Sequence, residues 1–223
     1  MDFRALKVLG AYEFVPDTFP DERGRFTAPF LDSVFATAVG HALPPVRQVS
    51  CSTSRRQVLR GVHYTLTPPG TAKYVYCAHG RVLDMVVDLR VGSPTFLAWD
   101  AVTIDAERPS AVYLPVGVGH AFLALRDDSV MAYLHSGEYV GDHELAVSAR
   151  DPALGLPLGE TRDTVVSARD RDAPTVAEAR ALGLLPAYDT CAAIEKGFWH
   201  PAPSGDRPPR APGAPPHEGR HSP

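Results

Sequence analysis

Lysine is scarce in this chain of 223 residues: Lys7, Lys73 and Lys196 are the only three among 22 basic residues, and the rest are arginine. Arginine codons are GC-rich and lysine codons AT-rich, so the bias points to a high-GC genome, and a lysine kept at an inward position needs a chemical reason. Cysteine is equally sparse. Cys51, Cys77 and Cys191 lie far apart, cannot all pair and lack metal-finger spacing. They read as free thiols of a reducing compartment. Positive charge is not in excess either: the net charge is −4, whereas a nucleic-acid binder presents a basic face. No apolar run approaches the roughly 18–20 residues that span a bilayer, and MDFRALKVLGAYEF at the start holds no secretion-type apolar core. The expected setting is therefore the cytoplasm, with neither nucleic acid nor membrane as partner.

What is present is an ordinary globular composition, 44% hydrophobic and 22% charged. The last 23 residues differ. They carry 8 of the 22 prolines and no aromatic or branched aliphatic side chain. Such a segment cannot bury enough apolar surface to offset its ordering entropy. The expected organisation is one domain over residues 1–199 and a proline-rich tail without fixed structure over 200–223. Between them the pattern is mostly β. Val58–Tyr64, Thr71–Ala78, Arg81–Arg90, Thr95–Ile104, Ala111–Leu114, Gly119–Leu125 and Ser129–His135 read as short strands separated by Gly, Pro and Asp clusters. Spacing of roughly 8–12 residues suggests a sandwich or barrel. His79-Gly80 reads as a hairpin turn. Helices are expected over Leu31–Val39 and Thr175–Leu182, the latter with Thr175 as N-cap and Gly183 as its stop.

Strand alternation sorts the polar residues by face. His63 falls with Leu59 and Gly61, Lys73 with Val75 and Cys77, and Tyr133 with Met131 and His135. Asp84 and Asp88 fall with Val82 and Val86. A lysine on an apolar face either lines a pocket or marks a strand end. Asp84 needs a buried partner, for which His63, Lys73 or an arginine would serve. His120 follows a Gly-rich bend and reads either as a site residue or as a satisfied buried histidine. His41, His79, His143, His200, His217 and His221 read as surface residues, and Trp99 and Phe122 as core.

Longer motifs are more specific. RGVHY (Arg60–Tyr64), PPGTAKYVYCAHG (Pro68–Gly80), FPDERGRF (Phe19–Phe26), VDLRVGSPTFLAW (Val87–Trp99), YLPVGVGHAF (Tyr113–Phe122), MAYLHSGEY (Met131–Tyr139) and SARDRDAP (Ser167–Pro174) stand in order along nearly the whole folded part. In these the chain resembles the dTDP-4-dehydrorhamnose 3,5-epimerase family, and TPPGTAKYVYC is closest to the antibiotic deoxysugar branch. The resemblance implies a mostly β, cupin-like jelly roll with a few short helices. It implies His63 as catalytic base, Asp170 as the carboxylate orienting it, Lys73 as the cation of the following strand and Tyr133 as the acid. It implies a nucleotide cradle of Phe19, Arg23, Phe26, Gln48 and Arg60, with Tyr139 stacking on thymine. His120 and Asp84 are added as further substrate-site candidates. It also implies a homodimer in which N-terminal residues reach the partner's site. Ala28 and Ser50 depart from the family's usual Glu and Asn, Thr65 from a common Gln, and Leu134-His135 from a Lys-containing pair.

The implied chemistry suits these residue types. Removing a proton beside a ketone needs a base near neutral pH, and a neutral histidine oriented by a carboxylate supplies one. A cation at the ketone oxygen stabilises the enolate as it forms. Inversion then needs an acid on the opposite face. The expected activity is cofactor-independent inversion of a dTDP-4-keto-6-deoxyhexose at C5 and C3, with C5-only or C3-only inversion as alternatives; the retained Tyr133 favours an outcome that includes C5. A metal-dependent cupin is a rival class. Such proteins use an H-x-H pair, a Glu and a later His, and this chain offers only His63-Tyr64-Thr65 and His120. A silent sugar-nucleotide-binding cupin is the third class, and would be expected to have lost one of the four catalytic residues. No metal and no cofactor is expected.

Overall fold

The computed structural model describes residues 1–159 and 164–198; the expected tail lies outside them. Thirteen strands carry the described fold: β1 (Asp2–Ala5), β2 (Tyr12–Val15), β3 (Thr18–Asp21), β4 (Gly24–Thr27), β5 (Gln48–Ser54), β6 (Leu59–Thr65), β7 (Lys73–His79), β8 (Arg81–Asp88), β9 (Trp99–Asp105), β10 (Ala111–Leu114), β11 (Val118–Ala124), β12 (Ser129–His135) and β13 (Glu144–Ala146). Four α-helices accompany them: α1 (Asp32–Val39), α2 (Ala168–Arg171), α3 (Val176–Ala181) and α4 (Tyr188–Gly197).

Two antiparallel sheets face each other. The first runs β1-β2-β10-β7-β12-β5 and the second β13-β6-β11-β8-β9, while β3 and β4 form a separate two-stranded hairpin. This is the mostly β jelly-roll arrangement expected. Consecutive β7 and β8 do not form the expected hairpin. They belong to different sheets, so His79-Gly80 carries the chain across the sandwich. Gly80 has φ +80°, and a Cβ there would meet the Ser129 Cα at 2.8 Å, which favours glycine at the crossing.

Alternation explains the layers. Val75, Cys77, Val82, Val86, Ile104, Leu114, Phe122 and Met131 point between the sheets and form the inner core. The outer face of the second sheet, with Val62, Tyr64 and Met85, is covered by Val147, Leu154, Val176 and Ala179. The outer face of the first, with Phe14, Tyr74 and Tyr113, packs on Phe35 of α1 and Cys191 of α4. Phe35 and Tyr113 meet edge to face at 4.9 Å, and a side chain such as Phe35 contributes about 1.5–3 kcal/mol by burial. The second sheet is therefore buried on both faces, which is why β11 has seven buried residues in a row. His41, expected on the surface, is buried beside Phe35. Thr175 caps α3 as expected, in a reciprocal capping box with Glu178. Ser167 caps α2 with a single bond: its hydroxyl accepts from the Asp170 N–H at 3.1 Å. That cap sets the single turn that holds Asp170 against β6.

Candidate active site

Between the sheets, at the β5–β12–β7 end, lies a cavity of about 240 Å³. One wall comes from the first sheet: Gln48, Ser50 and Ser52 from β5, Lys73 from β7, and Tyr133 and His135 from β12. The other comes from the second: Arg60 and His63 from β6, His120 and Phe122 from β11, and Glu144 from β13.

Strict alternation would put Arg60 and His63 on opposite faces of β6. The structure brings both to the cavity by a bulge. His120 pairs with His63 and Phe122 with Arg60, so three steps on β6 match two on β11. Leu59 turns outward into the cluster behind the sheet, which corrects its expected sharing of a face with His63. Gly61 sits at the bulge with φ +114°, and a Cβ there would lie 2.6 Å from the Ala121 Cα. Only glycine passes at that distance without displacing backbone.

His63 Nε2–H donates to Asp170 Oδ1 at 2.5 Å, and the Gly61 N–H donates to Asp170 Oδ2 at 3.4 Å. Burial pushes the Asp170 carboxyl up, but the His63 ring and the Gly61 amide pull it further down, leaving it below its ordinary value. The carboxylate fixes the tautomer: Nε2 carries the proton and Nδ1 keeps its lone pair. Lys73 is buried. Burial depresses its pKa, Arg169 adds to this and Glu144 works against it. An ammonium so placed gains from any anionic or carbonyl oxygen that enters the cavity. Burial pushes the Tyr133 phenol well above its ordinary value, so it is protonated across the working range. Its hydroxyl lies 3.3 Å from Ser52 Oγ.

A second histidine–carboxylate pair lies deeper. His120 Nε2–H donates to Asp84 Oδ1 at 2.6 Å, and the His120 ring meets Tyr133 edge to face at 5.9 Å. His120 is thus both satisfied and cavity-lining. Asp84 is partnered by His120 rather than by His63, Lys73 or an arginine, and it does not line the cavity itself, so it reaches a ligand only through His120. At the rim, Gln48 Nε2 donates to Ser50 Oγ at 2.7 Å while its Oε1 accepts from the Tyr139 N–H, also at 2.7 Å. Tyr139 is 64% exposed and lines the mouth. Phe19, Arg23 and Phe26 are not brought to this cavity. They sit on the β3–β4 hairpin, the two phenylalanines 60% and 68% exposed, away from their own chain's cavity. Among the described residues no three His, Cys, Asp or Glu side chains converge as metal ligands, and no helix is long and apolar enough to cross a membrane.

Sequence reasoning passed over Ser52, His135 and Glu144. For Ser52 the signal was the alternation Gln48, Ser50, Ser52 along β5. Glu144 carried none, because it follows an irregular segment and meets Thr65 only through the β13–β6 pairing; the Thr65 hydroxyl donates to it at 3.3 Å.

Residues 5–178 match the family model for dTDP-4-dehydrorhamnose 3,5-epimerase. The chain belongs to this family. Among the family's members, it is 46% identical over 194 residues to a dTDP-4-dehydrorhamnose 3,5-epimerase of Mycolicibacterium smegmatis, covering 87% of this chain and 95% of the relative. The rmlC epimerase of Mycobacterium tuberculosis superposes with TM-score 0.84 at 42% identity, covering 89% and 100%. A 3'-monoepimerase of Streptomyces bikiniensis, solved with dTDP as a double variant (one His to Asn, one Tyr to Phe), superposes with TM-score 0.82 at 43% identity, covering 87% and 97%.

Proposed function

We propose that the chain inverts a dTDP-4-keto-6-deoxyhexose in deoxysugar biosynthesis, without a cofactor, by removing a proton beside the ketone and returning one from the opposite face. The observation that carries this reading is the placement of His63 and Tyr133 on facing sheets, with Lys73 between strand neighbours at the same cavity. His63 Nδ1 takes the proton, and Asp170 stabilises the imidazolium as it forms. Lys73 stabilises the enolate oxygen, a charge that exists only during reaction. Tyr133 delivers the proton from the far wall. The cavity is smaller than the roughly 300–1,000 Å³ of pockets that enclose drug-sized ligands. It suits the sugar, with the nucleotide lying across the mouth between Arg60 and Tyr139. The S. bikiniensis variant supports the pairing: its altered histidine and tyrosine are separated by the same number of residues as His63 and Tyr133.

Inversion at both C3 and C5 is the primary reading. Inversion at C3 alone is the second, because the S. bikiniensis 3'-monoepimerase also carries a tyrosine at that spacing; retention of Tyr133 therefore does not by itself select C5. Proton NMR of the keto-sugar nucleotide in deuterated water separates the two. Deuterium at both carbons supports the first reading, deuterium at C3 alone the second, and deuterium at neither removes the assignment. We also propose a homodimer in which the β3–β4 hairpin brings Phe19, Arg23 and Phe26 to the neighbouring subunit's nucleotide.

A further inference from the structure

His135 stands at the centre of the first-sheet wall, in cross-strand register with Lys73 on β7 and Gln48 on β5. It shares a face with Tyr133, and the two rings stack at 5.8 Å with an interplanar angle of 17°. The imidazole lines the cavity, yet among the described residues neither ring nitrogen has a hydrogen-bond partner. Gln48 is committed to Ser50 and Tyr139, and Tyr133 to Ser52, while Lys73 lines the cavity beside the imidazole. Burial, then the charges of Lys73 and His120, hold its pKa down at about 4. At neutral pH the ring is therefore uncharged, with one donor and one acceptor nitrogen, which is the complement of a hydroxyl and not of a phosphate.

We propose that His135 is a specificity residue, its imidazole stacked on Tyr133 and hydrogen-bonded to the hydroxyl on C3 of the sugar. This rests on the reading of the cavity as a 4-keto-6-deoxyhexose site. Directly opposed side chains on neighbouring strands are about 4.5–5.5 Å apart at Cβ. A ketone oxygen held by Lys73 thus puts the substituents of the next ring carbon within reach of His135. Of the two carbons flanking the ketone, C3 bears a hydroxyl and C5 a methyl group, so a neutral imidazole pairs with C3. The stack also limits the tilt of the Tyr133 ring, so the same residue that reads the hydroxyl orients the acid.

Binding tests this independently of turnover. The ligands are a dTDP-6-deoxyhexose reduced at C4, which cannot react, and its 3-deoxy analogue, measured by calorimetry on the full-length protein. The wild type is expected to prefer the hydroxylated ligand by roughly five- to tenfold, the size of one net hydrogen bond. His135→Ala and His135→Phe should both lose that preference while binding dTDP itself normally, which also reports that they are folded. His135→Gln should recover part of it. Equal binding of the two ligands by the wild type, or an undiminished preference in His135→Phe, which keeps the stack and removes the nitrogens, would overturn the proposal. Failure of the parent reading looks different: no deuterium exchange into a keto-sugar, whatever the binding preference.

Discussion

His63 can act as a base only through a nitrogen that keeps its lone pair, and Asp170 decides which one. With Nε2–H committed to the carboxylate at 2.5 Å, the basic atom is Nδ1. Replacing Asp170 with Asn removes the charge that favours the imidazolium and frees the ring to take the other tautomer. Asp170→Asn should therefore lower kcat by about 10²–10⁴-fold with little change in dTDP affinity, measured by steady-state kinetics and titration. Near-normal turnover would remove Asp170 from the mechanism. Tyr133 makes a different prediction. If it supplies the far-face proton, Tyr133→Phe leaves His63 and Lys73 able to form the enolate. Exchange of substrate hydrogen with deuterated solvent should then persist while inversion falls much further. Equal losses in both would mean that Tyr133 positions the sugar and does not protonate it. Much of this was legible in single residues: Lys73 stood out as one lysine in an arginine-rich chain, and alternation put it and Tyr133 on inward faces. The carboxylate partners were less legible, because the Asp170–His63 contact spans 107 positions and the Asp84–His120 contact 36, and no local pattern encodes such pairings.

The β6 bulge is the element that local patterns conceal. Period-two reading gave His63 the company of Leu59, and the one-residue insertion at Gly61 and Val62 gives it Arg60 instead. Thr175, by contrast, announced α3 through capping chemistry that is local, whereas the single turn of α2 behind Ser167 was not read from the sequence. Gly61→Ala tests the bulge. A Cβ pressed on Ala121 in a backbone region strained by roughly 1–3 kcal/mol for non-glycine residues should lower Tm and abolish activity even in the folded fraction. A stable, active variant would show that the bulge is not needed to align Arg60 with His63. The end of β8 makes an acid-stability prediction. Asp88 is fully buried and accepts from Arg90 Nε, Ser93 Oγ and Thr95 Oγ1 at 2.6–2.8 Å. Burial pushes its carboxyl up, but Arg90 and the two hydroxyls more than offset this and leave it below its ordinary value. A depressed folded value means stability that is present above the unfolded carboxylate pKa of about 3.9 and lost as pH falls through the folded one. Asp88→Asn should cost about 3–5 kcal/mol at pH 7, and its gap to wild type should narrow below about pH 4 in denaturant titrations. A gap unchanged down to pH 2 would contradict the paired, ionised state.

As a whole molecule the single chain shows two features that a second copy would complete: among the described residues β5 is an unpaired edge of the first sheet with Val49 66% exposed, and the β3–β4 hairpin holds out Phe19 and Phe26. Edge strands of this length are usually covered. Sedimentation at micromolar concentration should give about twice the 24.0 kDa chain mass, and Val49→Asp should shift the population towards the single chain. A monomer at the wild-type sequence would leave the hairpin without its proposed role. Strand spacing pointed to a sandwich or barrel, and the jelly roll itself was implied by the family resemblance that the ordered motifs carry. The sheet partners were not legible, because sequence neighbours such as β7 and β8 part into different layers. Proton transfer by His63 across the cavity is the central step of the proposed reaction. It is tested most directly by following the keto-sugar nucleotide in deuterated water with His63→Ala beside wild type, at concentrations where both are saturated with ligand. Deuterium uptake beside the ketone is expected with wild type, at a rate at least about 10²-fold lower with His63→Ala; uptake at a near-normal rate in the variant would remove His63 as the base.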